Sequence, residues 1–129
     1  MTRILIADDQ PHVVRVLRLT LEREGYRVDH APDGAVALEL IRAQAPDVLL
    51  TDIQMPVMTG EALCRAIQAE FPQRAFPIFV MTSMAERDNR KWVAEIADTR
   101  FLEKPLSPRS LVATLAKLAP PQPPEAGRG

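Results

Sequence analysis

Five short apolar runs alternate with stretches of helical period along this chain, and that alternation leaves few folds open. The runs are RILIAD (3–8), YRVDH (26–30), DVLLTD (47–52), FPIFVMT (76–82) and RFLEK (100–104). Continuous apolar runs such as RILIAD and DVLLTD suit strands covered on both faces of a sheet. YRVDH alternates instead, as an edge strand does. Pro77 is tolerable only near the start of its strand, because proline cannot donate to a ladder. Between the runs, Pro11 opens a helix carrying Val13, Val16, Leu17, Thr20 and Leu21, and Gly25 supplies its stop. Asp33 caps a second helix with Ala37, Leu38, Ile41 and Ala45 inward, and Thr59 caps a third with Leu63, Ala66 and Ile67 inward. A fourth helical segment, 84–96, has a weak pattern around Trp92, Val93 and Ile96. Ser107 and Pro108 open a last helix with Leu111, Leu115 and Leu118 inward. Strict alternation with short joins predicts an α/β fold: a doubly wound, five-stranded parallel sheet with five helices on its two faces.

A chain of 129 residues is one domain's length, and 47% hydrophobic content is enough for a core. A formal charge of -1 gives no overall pull toward nucleic acid. Cys64 is the single cysteine, so no internal disulfide forms, which fits a reducing cytoplasm. MTRILIADDQ reaches Asp8 and Asp9 without a long apolar run, so neither a signal peptide nor a membrane span is expected there. From residue 120 the composition changes to PPQPPEAGRG. The expected division is a domain over 1–119 and a polyproline-like or disordered tail over 120–129.

Ligands of such sheets bind beyond the carboxyl ends of the strands. Asp8 and Asp9 follow the first strand, Asp52 ends the third, Thr82 and Ser83 end the fourth, and Lys104 ends the fifth. Singly, an aspartate at a strand end is commonly a turn cap. Together, these residues deliver three carboxylates, hydroxyls and one ammonium to a single edge. Clustered carboxylates repel, and a hard cation such as Mg²⁺ relieves that. A lysine and a hydroxyl complement a phosphoryl group, and an aspartate already ionised at neutral pH can accept one without a general base.

The segments ADD (7–9), PDVLLTDIQMPVMTG (46–60), MTS (81–83) and FLEKP (101–105) stand in the order and spacing of a known family. Over residues 3–119 the chain resembles the receiver domain of bacterial two-component response regulators, in its stand-alone, chemotaxis-regulator form. The resemblance implies a flavodoxin-like sheet of order 2-1-3-4-5. It makes Asp52 the phosphoryl acceptor, charged by a histidine kinase or phosphotransfer protein. Asp9, Asp52 and the Gln54 backbone carbonyl would ligate Mg²⁺, with Asp8 acting through a bound water. Lys104 and Thr82 would hold the phosphoryl oxygens, with the Ser83 hydroxyl nearby. Phe101 occupies the position of the aromatic switch, and Pro105 follows a peptide that is cis in relatives. Gln54 and Met84 flank the path of the hydrolytic water. Output would run through the face formed by the fourth helical segment, the fifth strand and the last helix, in a cytoplasmic monomer or weak dimer that contacts neither nucleic acid nor membrane directly.

Three departures stand out. Thr59 replaces the usual aspartate after Met58 and still caps a helix. Ser83 replaces the usual alanine. Ala97 stands where relatives carry glycine, and alanine at positive φ would cost roughly 1 kcal/mol. Two other readings compete with a stand-alone switch: the receiver half of a larger regulator, or a Mg²⁺ phosphohydrolase with an aspartyl-phosphate intermediate. The hydrolase reading calls for an acid two residues after the nucleophile, and Gln54 is there instead. His12 and His30 read as solvated residues, since neither has a metal-spaced partner.

Overall fold

The computed structural model describes residues 1–83, 91–104 and 107–121. Five strands, β1 (Arg3–Ala7), β2 (Arg27–Ala31), β3 (Val48–Asp52), β4 (Ile78–Thr82) and β5 (Thr99–Glu103), form one parallel sheet in the order β2-β1-β3-β4-β5. This is the doubly wound, flavodoxin-like order. The helices are α1 (Pro11–Arg23), α2 (Gly34–Ala43), α3 (Gly60–Glu70) and α4 (Pro108–Leu118). Four α-helices are therefore described where five were expected. The fourth expected helix begins in residues 84–90, which lie outside the described set, and the part that follows, Lys91–Glu95, is a 3-10 helix. Trp92, Val93 and Ile96 are buried there, and the Ile96 N–H donates to the Val93 carbonyl three residues back. That three-residue spacing suits the tighter helix.

Alternation along each strand divides the core into two layers. Leu5, Ala7, Leu49, Ile78 and Val80 face α2, α3 and Trp92. Ile4, Ile6, Val48, Leu50, Phe79 and Met81 face α1 and α4. Leu49 and Leu50 are adjacent and both fully buried, on opposite sides. Each such side chain contributes about 1.5–3 kcal/mol through removal from water, so β3 is held from both faces and its end is rigidly placed.

Local signals act as their chemistry dictates. The Asp33 carboxylate accepts from Val36 N–H at 2.9 Å, Thr59 Oγ1 from Ala62 N–H at 3.1 Å, and Ser107 Oγ from Ser110 N–H at 3.3 Å. Gly25 has φ +97°, and paired bonds from Gly25 N–H to Glu22 O and Tyr26 N–H to Leu21 O end α1. Several inward assignments are corrected. Val16 is 51% exposed, and Val14 takes its place in the core. Ala45 lies beyond the end of α2 and is exposed, and Leu118, at the last turn of α4, is 41% exposed. Periodicity locates a stripe, but the stripe's rotation depends on the sheet beneath it.

The position of Ala97 does not have positive φ; Asp98 takes that conformation, at φ 48°. Aspartate tolerates the left-handed region far better than most residues. Arg74 secures the turn by donating to the carbonyls of Ala97 and Asp98. At the end of α4, Tyr26 Oη donates to Ala119 O at 2.9 Å and Thr2 Oγ1 to Pro120 O at 2.7 Å. Of the Pro-rich tail, residues 122–129 lie outside the described set.

Candidate functional site

Because all five strands are parallel, their carboxyl ends share one edge of the sheet. β1 ends at Ala7, so Asp8 and Asp9 enter the connection to α1; β3 ends on Asp52, β4 on Thr82, and Lys104 follows β5. One carboxylate oxygen from each of Asp8, Asp9 and Asp52 lies within 4.8 Å of the others. Asp8 and Asp52 are buried, Thr82 is fully buried, and Asp9 is exposed. Lys104 Nζ donates to Asp52 Oδ1 at 2.8 Å, and the same oxygen accepts the Ile53 N–H at 2.9 Å. The Lys104 N–H donates to Thr82 O at 2.6 Å, which ties the lysine to the end of β4. Three carboxylates against one ammonium leave a formal charge of 3 − 1 = 2 negative charges.

Asp8 carries the strain of this arrangement. Its Oδ1 accepts the Gln10 N–H at 2.9 Å, while Oδ2 is buried without a hydrogen-bond partner. Burial pushes its carboxyl above the ordinary range; the Gln10 N–H opposes the rise, and the charge of Asp52 adds to it. An orphaned anionic oxygen among oxygen-only donors fits a hard divalent cation such as Mg²⁺. Without such a cation, ionising Asp8 opposes folding. The stability conferred by its neutral form is complete below the unfolded pKa and is lost as pH rises through the raised folded value. Asp8→Asn removes that penalty. In EDTA, the variant should therefore overtake wild type as pH climbs, by about 1–3 kcal/mol at neutral pH. Urea melts at acidic and neutral pH measure this; a wild type that stays the more stable at pH 7 would show that the carboxylate is a structural cap.

The loop after β3 is built on close backbone approach. The Gly60 N–H donates to Ile53 O at 2.8 Å, and a Cβ on Gly60 would overlap the Asp52 carbonyl oxygen. The Gly34 N–H donates to Met58 O at 3.2 Å. Val57 has φ 66° and is 84% exposed. A β-branched residue in the left-handed region is strained, and here no packing compensates. Val57→Gly should raise stability by about 1 kcal/mol, read as a shift in the urea midpoint; a lowered midpoint would mean that the loop depends on the valine side chain.

The other predicted residues fall as follows. Gln54 is exposed, two positions after Asp52, and Ser83 is half-buried beside Thr82. Phe101 pairs in register with Val80 and packs, half-buried, on the α2–α3 side of the core. Met84 and Pro105 lie outside the described residues. Sequence reading missed one contributor. His30 is a half-buried β2 residue, not a solvated one, and its Nε2 lies 3.0 Å from the Asp8 carbonyl oxygen. Gly60 opens α3, and its missing side chain is what lets the helix start meet the Asp52 peptide.

This geometry has relatives. Residues 4–116 match the family model described as response regulator receiver domain. The chain belongs to that family. Receiver domains are the phosphoacceptor signalling switches of two-component systems. It is 35% identical to the transcriptional regulatory protein ResD of Bacillus subtilis, over 91% of this chain and 48% of that protein. Against Protein PilH of Pseudomonas aeruginosa, identity is 31%, over 89% of this chain and 95% of that one. The receiver domain thus spans about half of ResD but nearly all of PilH. Among solved structures, the Vibrio cholerae chemotaxis protein CheY4 superposes with a TM-score of 0.82 at 30% identity, covering 92% of this chain and 98% of that one. Among the described residues, no helix of the receiver domain is long and apolar enough to cross a membrane.

Proposed function

We propose that Asp52 accepts a phosphoryl group from a phosphohistidine of a histidine kinase or phosphotransfer protein. The observation that carries this is a buried Asp52 carboxylate paired with Lys104 at 2.8 Å inside an acidic cluster. An Asp52 oxygen attacks phosphorus, the P–N bond to the donor imidazole breaks, and the electron pair leaves with the imidazole. Lys104 holds the attacking carboxylate in place beforehand and meets the phosphoryl oxygens afterwards, and the Thr82 hydroxyl bonds one of them. Asp9, Asp52 and the Gln54 carbonyl would hold Mg²⁺, with Asp8 behind a bound water; the ion supplies charge neutralisation for carboxylate and phosphoryl oxygens. With no acid at Gln54, the acyl phosphate is read as long-lived.

Phosphorylation then shifts a two-state equilibrium read out at the face of β5, α4 and the segment before β5, with Phe101 as the moving aromatic. Its half-buried seat beside Val80 supports this, because a side chain neither locked in the core nor free in solvent can move at modest cost. The setting is a cytoplasmic one, with the receiver as a monomer or weak dimer and its output partner a protein rather than nucleic acid. PilH supports a stand-alone arrangement, and ResD supports a receiver joined to a further module. Incubation with a small acyl phosphate tests the site: intact mass should show one added phosphoryl group with Mg²⁺ and none in EDTA. Equal labelling in EDTA would remove the metal from the reading.

A further inference from the structure

β2 is an edge of the sheet, and a cavity of about 460 Å³ opens on it between α1 and the end of α2. Its charge is lopsided. Arg3 from β1, Arg18 from α1 and Arg27 from β2 line the cavity together with one carboxylate, Asp29, and with His30. Three arginines less one aspartate leave 3 − 1 = 2 positive charges, on a chain whose formal charge is -1.

Asp29 compensates them poorly. It lies 3.3 Å from Arg3 and 3.9 Å from Arg27, the second at the outer limit of an ion pair. The Arg3 side chain is only 9% exposed, and its other terminal nitrogen donates to the neutral Gln44 carbonyl. Among the described residues, Arg18 donates to the Val28 carbonyl alone, at 3.4 Å. The Nε of both Arg3 and Arg18 is buried without a hydrogen-bond partner. Asp47 takes the main-chain N–H of Arg3, not its guanidinium. A nearly buried guanidinium is costly unless an anion balances it. Guanidinium forks lining one cavity suit the oxygens of a phosphate group, and Leu40 adds an apolar wall for an organic moiety. The volume is that of an ordinary small-ligand site.

We propose that this β2-edge cavity binds the phosphate group of a small phosphate monoester, held by Arg3, Arg18 and Arg27, at a site separate from the Asp52 cluster. The test is an amide-resolved NMR titration of the full chain at low ionic strength in EDTA, so that the acidic cluster carries no metal. The probes are inorganic phosphate, a nucleoside 5′-monophosphate and anionic phosphatidylglycerol vesicles. Saturable shifts confined to residues 3, 18 and 27–30 are expected with both soluble probes, tighter for the ester. The double variant Arg18→Gln/Arg27→Gln should weaken binding by about tenfold or more. Asp29→Asn, which removes the competing carboxylate, should strengthen it; a loss of fold would fail to give this opposite sign. The proposal is overturned by shifts limited to Asp9, Asp52 and Lys104, by equal affinity in the double variant, or by binding to vesicles alone, which would indicate diffuse surface charge.

Discussion

Asp52→Asn is expected to abolish phosphoryl uptake from an acyl phosphate, a loss of more than about a hundredfold, while the domain stays folded. The amide keeps the shape of the carboxylate but has no anionic oxygen to attack phosphorus. It also removes one of three charges crowded within 4.8 Å, so folding in EDTA should hold or improve. Lys104 loses its ion-pair partner at 2.8 Å, but it is partly exposed and keeps access to water. Intact mass and a urea melt on the same sample separate the two effects. An adduct fully retained in Asp52→Asn would place the acceptor elsewhere. A folded variant with no adduct is the expected outcome.

Gly60→Ala should be the most damaging single-methyl substitution in the site. Near a helix start, alanine ordinarily improves on glycine by up to about 1 kcal/mol. Here the added Cβ overlaps the Asp52 carbonyl oxygen and would stand 3.0 Å from Ile53 Cα. Those are backbone atoms of a strand end buried on both sides, so the neighbour cannot give way cheaply. A net loss of about 3 kcal/mol is expected, with slower phosphorylation because Asp52 itself must shift. Gly34→Ala is the comparison: its Cβ would meet Met58 O at 2.6 Å and Met58 side-chain atoms at 2.9 Å, in a loop that can yield more readily. If Gly60→Ala melts with wild type, the approach of α3 to β3 is not as tight as described.

The alternation of apolar runs and helical stripes was enough for the class of fold, because a chain so patterned can bury its surface only as a parallel sheet between helix layers. Asp8, Asp9, Asp52, Thr82 and Lys104 were legible as a group for the same reason: parallel strands send every strand-end residue to one edge. Caps at Asp33, Thr59 and Ser107 are local chemistry and need no tertiary context. The strand order lay beyond periodicity and came from the family resemblance.

Long-range packing settled the rest. Val14 rather than Val16 faces the core because the angle at which α1 lies on the sheet sets the stripe, and that angle belongs to both partners. The orphaned Asp8 oxygen, the His30 approach to the Asp8 carbonyl and the gathering of Arg3, Arg18 and Arg27 on one cavity depend on residues from different elements. No window of sequence contains them. The turn before β5 shows the division most clearly. The glycine of relatives left open whether Ala97 has positive φ; Asp98 takes that conformation instead, where the side chain tolerates it, and Arg74 bonds the carbonyls of both residues.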